Sequence, residues 1–360
     1  MIERMINEYE PDYVSCPGET LQDIIESLNM TQVDLAKRTG RPVKTISEII
    51  RGKSAITPGT ALQLEKVLKI PASFWNNREG QYREFLAKVE ERKTMVRRLG
   101  WLNKLPINEM AKMGWIKRYK DGLQQLTEVL KFFGIASPEQ WEQIWNNPSA
   151  AFRKSKAFRS DPHALSVWLR QGEIEAQNIQ CLDYNPGTFK KALNKIRGLT
   201  TKEPDVFVPK MTELCSKSGV AVVFVPEIKN TSVWGATRWL SPRKALIQLS
   251  LRYKTNDHLW FSFFHEAGHI LLYGKREVFI KCGDEHNDSE EKADNFSKNT
   301  LIPEKDYKEF FEHGDFSKKS IMQFAQKIGI APGIVVGRLQ HDGYILHSHF
   351  NHLKISLTWA

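Results

Sequence analysis

The sequence predicts a multidomain chain: an all-α helix-turn-helix head over residues 1–85, a helical middle region over 86–205, and an α+β domain over 206–360. Three observations predict it. The head carries short apolar-periodic helices punctuated by Thr, Gly and Pro. Residues 220–226, 232–240 and 245–251 read as strands. The apolar run over residues 259–273 encloses Phe264-His265-Glu266-Ala267-Gly268-His269. A chain of 360 residues is also long for one core.

In the head, Leu21, Ile24, Ile25 and Leu28 give a first helix its apolar stripe. Thr31 and Asp34 have the spacing of a capping box and open a second, short helix. Ala36 is small where two helices would cross, and Gly40 supplies a turn residue able to take positive φ. Pro42 can open the next helix, from which Ile46 and Ile49 face inward. Thr57-Pro58 starts another, with Ala61, Leu64, Val67 and Leu68 as its core face. A five-helix module of this kind lays the helix after the turn in the major groove of DNA. Val43, Lys44, Thr45, Ser47 and Glu48 occupy its outer face and would meet base edges, while Gln32, Arg41, Arg51 and Lys53 would hold phosphates. Between residues 31 and 53 the basic side chains Lys37, Arg38, Arg41, Lys44, Arg51 and Lys53 stand against Asp34 and Glu48 alone.

In the middle region, Ser137-Pro138 and Asp161-Pro162 are pairs of N-cap and first helical residue. Trp101, Trp115, Trp141, Trp145 and Trp168 mark a packed region and not a linker. Most of the net charge of +10 falls between residues 101 and 250, including the run Arg153, Lys154, Lys156 and Arg159, for which a solvated face is the simplest account.

After the strands comes the candidate metal helix, with Asn256 as N-cap and Gly274 just past its end. His265 and His269 are four apart, so their imidazoles stand one above the other, about 6 Å apart, and can share one zinc ion with Glu266 beside it. Zinc hydrolases use three protein ligands. Leu272 and Lys275 occupy the positions where a longer motif has Gly and a third His, so the third ligand comes from further along. The segment from Asp288 to Phe296 reads as a second helix, with Asp288 near the N-cap and Pro303 beyond its end. Glu290, Ala293 and Asp294 share one face; Glu290 is assigned as third ligand, with Glu291 and His286 as competitors. Asp294, one turn on, would accept an N–H from a ligating His. Glu266 would take a proton from the water that attacks a peptide carbonyl. No spacing rule selects an oxyanion donor among Arg238, Trp239 and Tyr253. Strands followed by metal helices is the order of a zincin, whose edge strand pairs with an extended substrate. Residues 321–339 repeat helix-turn-helix spacing with few basic residues, and read as packing.

On the HEAGH motif, Glu290-x-x-Ala293-Asp294-x-Phe296 and Leu301-Ile302-Pro303, residues 210–340 resemble the ImmA/IrrE family of metallopeptidases. That resemblance implies a small gluzincin-type fold, zinc on two His and the downstream Glu, and a helix-turn-helix repressor as typical substrate. Ser297 departs from the Ala common in the family. The head resembles the HigA-like antitoxins through Pro17-Gly18-Glu19-x-Leu21, the run from Ile46 to Lys53, Ile56-Thr57-x-x-Thr60-Ala61-x-x-Leu64 and Pro71-x-x-Phe74-Trp75, with Cys16 replacing a usual His. That implies operator binding as a dimer and neutralisation of a small toxin.

The four Cys at 16, 181, 215 and 282, never in a C-x-x-C pair, fit reduced thiols in a cytoplasm and not metal ligands. No apolar stretch reaches the roughly 18–20 residues of a membrane span, and the start carries no signal peptide. The expectation is a cytoplasmic DNA-binding regulator: an antitoxin-like repressor, dimeric on double-stranded operator DNA, that carries a Zn2+-dependent endopeptidase. Its substrate would be a regulatory protein, whether itself, a partner repressor or a toxin. The alternative is a non-proteolytic antitoxin of a toxin–antitoxin pair whose zinc domain binds or senses; a binding module has no need of Glu266 as a base.

Overall fold

The computed structural model describes residues 13–152, 161–229, 231–273, 279–281 and 288–359. The basic run at Arg153, Lys154, Lys156 and Arg159 lies outside the described residues, as do Gly274, Lys275, Cys282 and His286. The chain divides into two compact units, Met1–Leu99 and Gly100–Ala360.

The first unit is helical: α1 (Pro17–Ser27), α2 (Gln32–Thr39), α3 (Val43–Ile50), α4 (Pro58–Leu68) and α5 (Ala72–Arg98). The Thr31 hydroxyl accepts the Asp34 N–H and the Asp34 carboxylate accepts the Thr31 N–H, so the capping box is closed. Gly40 ends α2 at φ 67°, and Thr57 caps α4 through the Thr60 N–H. Leu21, Ile25, Leu35, Ile46, Ile49, Leu64 and Trp75 form the core. Leu28 does not join it; it is the C-cap of α1, beyond the stripe, and is half exposed. Helices α1 and α3 cross so closely that a Cβ on Gly18 would lie 2.1 Å from the Ile49 carbonyl oxygen. The head does not stop at 85. Helix α5 runs unbroken to Arg98, tied back by buried Glu79, which accepts the Ile56 N–H, and by Arg78, which bonds Ser15 and Thr20.

The second unit opens with α6 (Ile107–Lys112), α7 (Gly122–Phe133), α8 (Pro138–Phe152), α9 (Pro162–Gln177), α10 (Pro186–Arg197) and α11 (Pro204–Ser216). Asp161 caps α9 through the His163 N–H. Strands β1 (Val220–Phe224), β2 (Gly235–Ser241) and β3 (Lys244–Leu249) precede α12 (Asn256–Leu272), and β4 (Phe279–Lys281) follows it. Then come α13 (Asp288–Leu301), α14 (Glu304–Glu312), α15 (Lys318–Ile328) and α16 (Pro332–His341).

Among the described residues the sheet has the order β1-β3-β2-β4, with β1 parallel to β3 and the other pairs antiparallel. Its two faces are both covered, which is why β1 and β3 read as continuous apolar runs. Val220, Val222, Ala245, Ile247 and Leu249 face a core shared with Phe263 and Phe264 of α12. The alternate residues face α9: the Gln248 amide donates to the Trp168 carbonyl, and the Trp168 indole N–H donates to the Val225 carbonyl. Helix α9 thus belongs to the sheet it backs, so sequence boundaries at 85 and 205 give way to one division at Leu99.

The start of α12 is held by the last described residues. Thr255, not Asn256, is its N-cap. The Asn256 N–H donates to the Ile355 carbonyl, the Ile355 N–H to Asn256 Oδ1, and the Leu357 N–H to the Lys254 carbonyl. Lys354 Nζ lies 2.7 Å from Asp257 Oδ2, both side chains largely buried.

Candidate metal centre and nucleic-acid interface

Helix α12 is buried along nearly its whole length, so its polar residues at 265, 266 and 269 sit inside the protein and need partners. Helix α13 supplies them. The two helices cross closely because Gly268 meets Ala293; a Cβ on Gly268 would lie 3.3 Å from Ala293 Cα. The Tyr273 hydroxyl donates to the Ser289 carbonyl and the Ser297 hydroxyl to the Phe261 carbonyl, pinning the crossing at both ends. This brings Glu290 Oε2 to 3.0 Å from His265 Nε2 and Glu290 Oε1 to 3.2 Å from His269 Nε2, with the two Nε2 atoms 3.0 Å apart. Asp294 Oδ1 lies 2.7 Å from His265 Nδ1. Glu291, the competitor one position on, is exposed, and His286 lies outside the described residues.

Among the described residues, His265, His269 and Glu290 make a group whose ligand atoms all lie within 4.8 Å. The donor set fits a zinc ion. A neutral His265 has one ring proton, which Asp294 takes at Nδ1, so Nε2 presents a lone pair to Glu290 and His269. Acceptors so placed repel unless a cation lies among them. Two imidazole nitrogens and one carboxylate are a three-ligand zinc set that leaves a fourth position open.

Glu266 stands beside this group without joining it. Its Oε2 accepts from the Thr237 hydroxyl at 2.7 Å, and its Oε1 has no hydrogen-bond partner among the described residues. Burial pushes its carboxyl above the usual carboxylate range, against the pull of His265, His269 and Thr237. Gly235 makes room for it: a Cβ there would lie 2.7 Å from Glu266 Oε1. Sequence reasoning missed Thr237 and Gly235, because only strand pairing reveals which face of β2 they occupy. The same alternation removes Arg238, which turns to the opposite face, donates to the Leu169 carbonyl and lies 3.3 Å from Glu173. Trp239 packs edge-on against Tyr184, and Tyr253 stacks on His258.

In the head, α3 presents Val43 and Lys44 to solvent, with Thr45, Ser47 and Glu48 half-buried. Glu48 is engaged locally: its carboxylate accepts from Ser54 and lies 3.9 Å from Lys44 Nζ. Arg41 donates to Gln63 and Gln32 to Gln22, so both are braced within the head, while Arg51 and Lys53 are exposed.

Residues 21–75 match the Helix-turn-helix family. No curated protein matches the chain. Among solved structures, an antidote protein of a plasmid maintenance system from Nostoc punctiforme is 26% identical, over 23% of this chain and 91% of that one, with a TM-score of 0.23. An addiction module antidote protein of a HigA family from Coxiella burnetii is 28% identical, over 24% and 94%, with a TM-score of 0.22. The Pseudomonas aeruginosa antitoxin HigA with its promoter is 23% identical, over 23% and 91%, also at 0.22.

The second stretch with helix-turn-helix spacing behaves differently. Helices α15 and α16 meet at Gly329 (φ 71°) much as α2 and α3 meet at Gly40, but α16 is buried against α12. Gly333 and Gly337 let it approach Asn256 and Asp257. A buried helix cannot enter a groove, so this pair is packing.

Proposed function

We propose that the chain is a DNA-binding transcriptional regulator whose second unit is a zinc-dependent endopeptidase of gluzincin type, acting on a regulatory protein such as a repressor or toxin. The head's helix-turn-helix match and the exposed basic positions around α3 support the DNA reading, with a dimer on a palindromic operator as the expected form. One observation carries the peptidase reading: three ligand-type atoms converge within 4.8 Å beside a buried glutamate that is not one of them. When bound, zinc would polarise a carbonyl and a water. Glu266 Oε1, buried and without a hydrogen-bond partner among the described residues, would accept a proton from an attacking water and return it to the leaving amine. Thr237 holds the other carboxylate oxygen and so aims it. Asp294 fixes the tautomer of His265.

The test is Glu266→Gln in the full chain. It should keep about one zinc per chain and full operator binding while yielding no cleaved protein, so that repression becomes permanent in cells. Normal derepression of Glu266→Gln cells under every inducing condition would sink the catalytic reading and leave a binding module.

A further inference from the structure

The second unit holds an open groove of about 770 Å³ between α6, the segment after β1 and the turn after β3. Ser232 lines it, and three residues further along the chain Gly235 lies against the Glu266 carboxylate; three residues span at most about 10 Å. On the helix side, a niche of about 10 Å³, room for a single water, runs from Tyr253 along His258 to Ser262, one turn before Glu266.

The junction between groove and niche is aromatic. Tyr253 stacks on His258 with centroids 4.2 Å apart, and Trp234 meets Tyr253 edge-on at 5.4 Å. Tyr253 nevertheless remains 46% exposed. A tyrosine braced from behind and open in front gives large contact area at low entropic cost. Around it, Lys112, Lys229 and Arg252 outnumber Glu109 and Glu227, and Glu109 already accepts the Lys229 N–H. The groove is therefore net positive.

We infer that this groove is the substrate cleft of the candidate peptidase, taking an extended, unfolded protein segment with an aromatic or large apolar side chain against Tyr253 and acidic side chains along the rim. The inference rests on the peptidase reading. The groove has the volume of a drug-sized ligand, a few residues of peptide. His258 and Glu266 are eight residues apart on α12, about 12 Å along its axis. An extended chain rises about 3.3 Å per residue, so the anchor side chain falls three to four positions from the bond cut.

The probes are two short fluorescein-labelled peptides rich in Gly, Ser and Asp, one with a single Phe and one with Ala in its place. Anisotropy on the full-length, zinc-loaded Glu266→Gln chain should show the Phe peptide binding about tenfold tighter, the effect of burying one ring. Tyr253→Ala on that background should erase the preference without changing zinc content. Arg252→Glu should weaken both peptides and leave the preference intact, a reading available even where Tyr253→Ala fails to fold. Equal binding of the two peptides, or binding indifferent to Arg252→Glu, overturns the inference. Cleavage is read separately, with wild-type chain and unfolded casein. A Phe preference without casein cleavage upholds the groove and removes the peptidase; cleavage without the preference removes the groove alone.

Discussion

Gly18 and Thr31 stabilise the head by opposite means, one by absence of a side chain and the other by supplying one. Gly18→Ala places a methyl 2.1 Å from a backbone oxygen that cannot move without shifting α3. A loss of about 1–3 kcal/mol in urea unfolding is expected, toward the upper end because backbone and not side chain must yield. Thr31→Ala removes a cap and should cost about 1 kcal/mol in the same assay. In the candidate metal centre, His269→Ala and Glu290→Ala should each lose zinc by metal analysis, while Glu291→Ala keeps it, since Glu291 is exposed. Retention of zinc by Glu290→Ala would move the third ligand elsewhere. The pair His265/His269 is legible in sequence because helix periodicity alone sets its geometry. Glu290 is legible once a second helix is inferred. Thr237 is not: its meeting with Glu266 depends on β2 lying beside α12, a packing between elements that no local spacing encodes.

At the scale of elements, start and stop signals were the readable feature. Thr31, Thr57, Asp161 and Gly40 stand where their side chains or backbone freedom predict. Strand β4 escaped because three residues between longer elements carry no periodicity. Helix α3 and helix α16 share a preceding Gly in the left-handed region, and only burial separates them; sequence spacing reports a turn, not which side faces water. The exposed face of α3 gives a prediction of its own. Lys44→Ala and Thr45→Ala should relax operator sequence preference in footprinting. Arg51→Ala and Lys53→Ala should weaken all sequences alike, each lowering the salt slope of binding by about 1. A change of sequence preference in Arg51→Ala would reverse the assignment of that residue to phosphate.

For the whole molecule, the decisive feature is that helices read as a separate middle region are the back layer of the sheet, through Trp168, Gln248 and Arg238. Composition marked those helices as packed, through their Trp residues, but not what they pack against. The second joint is the pair Lys354–Asp257, which fastens the last described residues to the first turn of α12. Lys354→Met leaves a buried carboxylate unpaired and should cost about 3–5 kcal/mol in the unfolding transition of the second unit, with partial recovery in Lys354→Met/Asp257→Asn. Unchanged stability in Lys354→Met would show that the pair is solvated in solution. All of α12 is translated by residue 272, yet the residues that fasten its base come from 354–357. A ribosome therefore releases the head long before α12 can be seated. A chain stalled or nicked before those residues would carry a complete first unit and an α12 whose base is unfastened, so synthesis itself orders the folding of the head ahead of the seating of α12.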